Sequence, residues 1–396
     1  MLEPTKKQVL ETARQDIPEA MRDHMLKEAA GFMVYNTSHY TFERLLGEPD
    51  QLLSNLHTYL NGLSPAALDI FEKYDFHNQI ARLDGANLLF LVLQRFAAVD
   101  LSPQRVSNAD MGSIFEELIR RFAELSNETA GHHFTPREVI RLMVHLLFHD
   151  DDLVLRGEGT VRTLYDPCAG TGGMLSIADE YIADHNPNAQ LALFGQEVNA
   201  ESYAICMADM LITGHEIENI VFGNTLSNPG HRDKRFDYML ANPPFGVDWS
   251  KDEKAVRDEH RNDGFTGRFG PGLPRKSDGS LLFLMHLVSH MRALEEGGSR
   301  IGIVLNGSPL FTGAAGSGES EIRRYLLEND LVEAIVALPT DMFFNTGIST
   351  YVWILSNKKE ARRAGKKRTA VQHYADARTA FLERAHVARE VHKKKE

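Results

Sequence analysis

From about residue 161 the chain alternates short apolar runs with segments of helical period, and this alternation constrains its fold more than any other feature. Val161–Tyr165, Ala192–Gln196, Phe236–Ala241 and Arg300–Leu305 read as strands, and helices are expected over residues 173–183, 201–214 and 280–294. Two further apolar runs, residues 331–338 and 349–355, also read as strands. Strands that alternate with helices pair in parallel in a doubly wound sheet, and ligands then lie at the carboxyl ends of the strands. Residues 1 to about 125 have a different pattern. Apolar side chains recur there at three- and four-residue spacing, as in Leu52, Leu56 and Leu60 and again in Ile114, Leu118 and Phe122, with breakers at residues 62–65 and 101–103. A small helical domain is expected there, whose plainest role is docking. The expected division is a helical domain over 1–125, a catalytic α/β domain over 126–357, and a basic, partly helical tail over 358–396.

Bulk properties narrow the class. The chain of 396 residues is 43% hydrophobic and 25% charged, as in soluble globular proteins. Its apolar runs are all shorter than a membrane span needs, and the N-terminus lacks a signal-peptide pattern, so a cytoplasmic protein is expected. Two cysteines, Cys168 and Cys206, make neither a disulfide framework nor a zinc set. The net charge is −12, yet residues 358–396 carry 13 Lys/Arg against 5 Asp/Glu, a local +8 that leaves −20 on the rest. A protein that gripped nucleic acid alone would show a basic face, so any DNA binding is expected to need help. The run Lys358–Arg368 is either a solvated segment or a DNA-binding arm.

The glycine turn, Glu197 and the Asn242–Phe245 run each follow one of the expected strands. Asp166-Pro-Cys-Ala-Gly170-Thr171-Gly172-Gly173-Met174 is a glycine turn that lets main-chain N–H groups face a ligand. No Gly-Lys-Ser/Thr follows, so it is not a phosphate loop. Glu197 closes the second strand, where a carboxylate can accept hydrogen bonds from both ribose hydroxyls of a nucleoside cofactor, or else sit solvated. Asn224 is placed either for the cofactor's adenine or simply as a turn residue. His133-Phe134-Thr135-Pro136-Arg137-Glu138 precedes an apolar helix and has the form of a capping box with proline at the first helical position. Such a helix start can meet a carboxylate. The paired histidines lack partners for a metal, and Cys168 reads as a packed residue rather than a nucleophile.

Asn242-Pro243-Pro244-Phe245 carries the most information. An amino group on an aromatic ring is a poor nucleophile because its lone pair is delocalised. The Asn242 side-chain oxygen and the Pro243 carbonyl can accept its hydrogens and draw the nitrogen toward tetrahedral geometry, while Phe245 offers a stacking face. A base treated in this way must leave its duplex. With the glycine turn upstream, the set is expected to transfer a methyl group from S-adenosylmethionine to an exocyclic nitrogen of adenine.

These motifs, together with residues 112–119, Lys276-Ser277-Asp278-Gly279, Leu338-Pro339 and Asn345-Thr346-Gly347-Ile348, resemble the modification subunits of type I restriction–modification systems, N6-adenine DNA methyltransferases, over residues 5–360. The resemblance implies a Rossmann-like S-adenosylmethionine-dependent methyltransferase domain preceded by an α-helical domain. It places cofactor contacts on His133, Phe134, Thr135, Pro136, Arg137 and Glu138, on Asp166, Gly170, Thr171, Gly172 and Gly173, and on Glu197. The target base would meet Asn242, Pro243, Pro244 and Phe245. It further implies DNA as substrate and two copies working with one specificity subunit and a restriction subunit, which delegates sequence reading and accounts for the acidic surface. The position of Asn224 is commonly Asp in that family, and family members run on through a longer helical tail. Two other readings are a protein glutamine N5-methyltransferase, which grips an amide with a similar turn, and a cofactor-binding scaffold without catalysis.

Overall fold

The structure is a computed structural model. It describes residues 4–100, 105–106, 114, 117–118, 135–149, 151–340, 342–343 and 347–358. Two compact units divide the chain: Met1–Glu124 with Asn199–Ile220, and Leu125–Val198 with Val221–Glu396.

The first unit is helical. Its described helices are α1 (Lys6–Ala13), α2 (Glu19–Ala30), α3 (Phe42–Gly47), α4 (Leu52–Asn61), α5 (Pro65–Lys73), α6 (Phe76–Gly85) and α7 (Leu89–Ala97). The expected stripe Leu52, Leu56, Leu60 is buried, and with Leu45, Tyr59, Ile80, Leu89 and Leu93 it forms one core. Ile114 and Leu118, spaced in the same way, are exposed instead, and Phe122 lies outside the described residues. A later helix, α11 (Ala200–Thr213), belongs to this unit and packs on α5, with a Tyr203–Asp69 hydrogen bond. Asn199 starts α11 by accepting the Ser202 N–H at 2.9 Å, and Gly214 ends it in the left-handed region that glycine favours.

The second unit is a seven-stranded sheet with order β3-β2-β1-β4-β5-β7-β6. Its strands are β1 (Val161–Asp166), β2 (Gln190–Glu197), β3 (Ile220–Phe222, whose first residue falls in the helical unit), β4 (Tyr238–Ala241), β5 (Arg300–Asn306), β6 (Val332–Ala337) and β7 (Thr350–Ser356). Beside them lie α8 (Arg137–Phe148), α9 (Asp152–Arg156), α10 (Gly173–His185), α12 (Glu253–Asp263), α13 (Ser280–Ser289), α14 (Ser308–Phe311) and α15 (Gly318–Glu328). Residues of β4, β5 and β7 are buried throughout, which is why they read as continuous apolar runs rather than as alternating ones.

β1 pairs in parallel with both β2 and β4, and β4 in parallel with β5. The chain runs outward from β1 through β2, then returns to β4 on the other side of β1. This reversal leaves a crevice at the carboxyl ends of β1 and β4. The sheet is not wholly parallel, as the alternation had suggested. β7 is inserted antiparallel between β5 and β6. No helix separates β6 from β7 among the described residues, and without a crossover a returning strand must pair antiparallel.

Two segments differ from expectation for visible reasons. Helix α13 stops at Ser289 rather than near residue 294, because the Phe236 N–H donates to the His290 carbonyl at 3.1 Å and Phe236 bridges Met291. The Gly/Pro-rich stretch 246–279, which lies between the expected strand ending at Ala241 and the expected helix from residue 280, contains α12. Only Val256 of that helix is buried, so it shows no apolar stripe in the sequence. Trp249 and Phe269 on either side of it are fully buried in the main core.

Candidate active site

Three strand ends define the site. β1 ends at Asp166 and passes into a turn in which the Gly172 N–H donates to the Ala169 carbonyl at 2.8 Å. Gly170 and Gly172 have φ of 54° and 89°, values that residues with a Cβ rarely adopt, and α10 starts at Gly173. The predicted glycines thus lie together at one helix start, with Thr171 half-buried among them.

Glu197, at the end of β2, holds this turn. The Gly170 N–H donates to Oε2 at 2.8 Å, and the Val198 N–H donates to Oε1 at 2.9 Å. Each carboxylate oxygen has two acceptor positions, so these bonds leave acceptor capacity on both. Asp166 is 1% exposed, and its Oδ1 accepts the Cys168 N–H at 2.9 Å. Burial pushes its carboxyl up to about 7 against that bond, and the Glu197 carboxylate adds to the rise. The Cys168 thiol is pushed well up by burial and by the same two acids, which keeps it protonated.

Asn224 builds a turn. Its Oδ1 accepts the Leu226 N–H at 2.8 Å, and its Nδ2 donates to Asp252 at 3.2 Å. The turn is fastened from outside by Arg268, which the sequence reading missed. Arg268 donates to the Thr225 and Leu226 carbonyls, each at 2.7 Å, to Glu259 of α12 at 2.6 Å and to His286 Nδ1 at 3.1 Å. His286, fully buried, is held well below its ordinary value chiefly by burial, so it is neutral and accepts this bond. Arginines in polar loops carry no periodic signal, and nothing in the sequence marks this one.

β4 ends at Ala241, so Asn242 emerges at the crevice next to the β1 turn. Its Nδ2 donates to Thr135 Oγ1 at 2.8 Å. Its Oδ1 is buried and takes no hydrogen bond among the described residues. Pro243 is buried, Pro244 is exposed and Phe245 is half-buried. The Phe245 ring meets Phe343 edge to face at 5.4 Å and 80°. Phe343, also missed, sits between β6 and β7, where the sequence shows no pattern.

The Thr135–Glu138 segment departs from the capping box. Pro136, not Thr135, occupies the cap of α8, with no side-chain capping bond, and Glu138 is exposed. The Thr135 hydroxyl is taken by Asn242 instead. Arg137 begins α8, and Ile140 one turn on would meet a Cβ at Gly173 at 3.7 Å, so α8 flanks the glycine turn. His133 and Phe134 lie outside the described residues, as do Phe344, Asn345 and Thr346. Among the described residues no group of three or more His, Cys, Asp or Glu is arranged for a metal.

A mixed sheet, parallel from β2 to β5 with β7 antiparallel, carrying a glycine turn after β1, an acid after β2 and an Asn-Pro-Pro-Phe turn after β4, has the fold of the class I methyltransferases. A structure from Listeria monocytogenes, described as a putative class I S-adenosylmethionine-dependent methyltransferase, shares it over 90% of this chain and 89% of its own, with TM-score 0.52 at 13% identity. Within that class, the chain belongs to the N-6 DNA methylase family, whose sequence profile matches residues 106–395.

It is similar to the type I restriction–modification methyltransferase subunit from Streptococcus thermophilus, with TM-score 0.67 and 26% identity over 87% of this chain and 71% of that one. It is 28% identical over 257 residues to the HindI methylase subunit of a type I restriction enzyme from Haemophilus influenzae, covering 64% of this chain and 52% of that protein. The chain spans about half the length of the curated relatives it matches.

Proposed function

We propose that the chain is the modification subunit of a type I restriction–modification system and methylates N6 of adenine in DNA, with S-adenosylmethionine as donor. One observation carries this reading. The Asn242 Oδ1 is a buried acceptor with no donor among the described residues, at the end of β4 beside the glycine turn. An unsatisfied buried acceptor costs about 1–3 kcal/mol. A fold that keeps one at a ligand crevice keeps it for a ligand that brings N–H groups.

The residues suit this cofactor. A pyrophosphate would be repelled by Asp166 and Glu197, the acids beneath the turn, whereas a nucleoside bearing a positive charge is attracted. A Cβ added at Gly170 would meet nothing within 4 Å, so the turn is open on that side. Glu197 would hold the ribose hydroxyls, and the Gly170–Gly173 turn with Thr171 would lie along the nucleoside. Thr135 to Glu138, at the start of α8, would face the amino-acid part, together with His133 and Phe134. Asn224 offers a turn rather than a free amide toward the adenine.

When bound, the cofactor supplies an electrophilic methyl group on a sulfonium, which departs as a neutral thioether. Asn242 Oδ1 and the Pro243 carbonyl would accept the two amino hydrogens of the adenine. The lone pair of that nitrogen would then be free for the methyl group, and the methylated nitrogen would afterwards give its extra proton to water. Pro244 stiffens the turn, and Phe245 would stack on the base. DNA, a specificity subunit and a restriction subunit are the proposed partners, with two copies of this chain per complex and the cytoplasm as its place. No described helix is long and apolar enough to cross a membrane.

The test is digestion of DNA treated with the chain, its specificity subunit and the cofactor, followed by assay for N6-methyladenine. Label on peptide glutamine, or no label with the cofactor bound, would replace this reading by one of the other two.

A further inference from the structure

We infer that Asp252 is a cofactor-binding residue that accepts a hydrogen from the exocyclic amine of the cofactor's adenine; this rests on the cofactor proposed above. The turn after β3 stands beside the ribose site. The Gly223 N–H donates to the Glu197 carbonyl at 2.9 Å, and the Thr225 hydroxyl donates to the Pro167 carbonyl at the foot of the glycine turn. Asn224 lies between these two bonds, and both ends of its carboxamide are committed. The Leu226 N–H, which can only donate, is bonded to Oδ1 at 2.8 Å. A carboxylate oxygen of Asp252, which can only accept, takes a hydrogen from Nδ2 at 3.2 Å. The carboxamide therefore has one orientation.

Asp252 does not do the ordinary work of its position. It stands at the cap of α12, where an aspartate usually accepts from the helix's own N–H groups, yet its side chain makes no capping bond. It reaches back 28 positions to Asn224 instead, and it is half-buried. An aspartate at 224 would set two carboxylates against each other, so the asparagine is what lets an acid stand here. After these bonds the Asn224 Nδ2 keeps one hydrogen, and the Asp252 carboxylate keeps acceptor positions. A donor therefore stands beside an acceptor. Adenine offers the complement, a ring nitrogen that accepts next to an amine that donates. A purine with an oxygen in place of that amine turns an acceptor toward the acid and is refused. The acid that recognises the cofactor's base thus comes from the segment after Asn242–Phe245 and not from the end of β3.

The experiment is calorimetric titration of the full chain and of its D252A and D252N variants with S-adenosylhomocysteine and two analogues of it. One analogue carries hydrogen, and the other a carbonyl oxygen, in place of the 6-amino group. The parent is expected to bind the amino compound about 10-fold or more tighter than the hydrogen analogue, and the oxo analogue most weakly. In both variants the preference for amino over hydrogen should disappear. D252N, in which an amide nitrogen replaces one acceptor oxygen at the same size, decides where D252A does not fold. A merely structural role for Asp252 would weaken all three ligands alike and keep their ratios. That result overturns the proposal, as does a parent that binds the three equally. If the parent binds none of them, the cofactor reading of the previous section fails and this assignment falls with it. If the parent prefers the amino compound and the variants keep that preference, only this assignment fails.

Discussion

The backbone N–H of Gly170 lies 2.8 Å from Oε2 of Glu197, so the acid that ends the second strand fixes the turn that ends the first. Truncation at Glu197 therefore removes a support of the turn as well as the proposed ribose contact. Hydrogen bonds to a charged group contribute about 1.5–3 kcal/mol each. Glu197→Ala is expected to weaken S-adenosylmethionine binding by about 10- to 100-fold or more, read by titration calorimetry. Unchanged affinity would remove Glu197 from the site.

Asn242→Ala takes away the acceptor itself. Transfer to DNA should fall by about 10²- to 10³-fold, the range seen when one preorganised group is removed from a reacting centre. Cofactor affinity should fall far less than transfer, because the side chain bonds neither the glycine turn nor Glu197, which bond each other. Activity surviving in N242A would refute the proposed chemistry.

Asp166 gives a pH dependence of definite sign. Its carboxyl is raised to about 7 when folded, above the value of an exposed carboxylate. Between those two values the folded chain holds a proton that the unfolded chain has lost. Stability contributed by this group is therefore greatest at low pH and is lost as pH rises toward 7. Asp166→Asn keeps an oxygen for the Cys168 N–H and removes the charge. In thermal melts the variant should gain on the parent as pH rises from about 4 toward about 7, and a constant difference across that window would contradict this.

Arg268 and Glu259, with side chains 9% and 10% exposed, form an ion pair 2.6 Å apart that also ties the turn at Thr225 and Leu226. Arg268→Met leaves the largely buried Glu259 carboxylate without its ionic partner and two carbonyls without their donor. The expected loss is about 3 kcal/mol or more, measured by denaturant unfolding. Combined with Glu259→Gln the loss should be less than the sum of the two singles.

Gly318 is required by space alone. A Cβ there would lie 1.7 Å from the Leu273 carbonyl oxygen, a backbone atom that cannot turn aside. Gly318→Ala should cost about 2 kcal/mol or more in the same assay.

Most of what could be read in advance was carried by residues whose backbone position or burial leaves a local trace. β1, β2, β4 and β5 are apolar because they are buried, and Asp166, Glu197 and Asn242 were singled out because each lies at the end of such a strand. The misses are of another kind. The antiparallel insertion of β7 depends on what connects it to β6, and α12 holds only one buried side chain. Arg268 and Phe343 act on residues 42 and 98 positions away, and a contact at that range leaves no local pattern. Thr135 was seen, but as a cap, because its bond to Asn242 spans 107 positions.

The polypeptide passes between the two compact units at three places, after Glu124, after Val198 and after Ile220. A single protease nick or gene fusion point therefore cannot separate them into whole halves. Anyone wishing to express the sheet alone must bridge Val198 to Val221 with a new connection, as well as trim the start. The same bookkeeping applies to inheritance: recombination that exchanged only the first 124 residues would leave α11, which packs on α5, to fit a foreign neighbour.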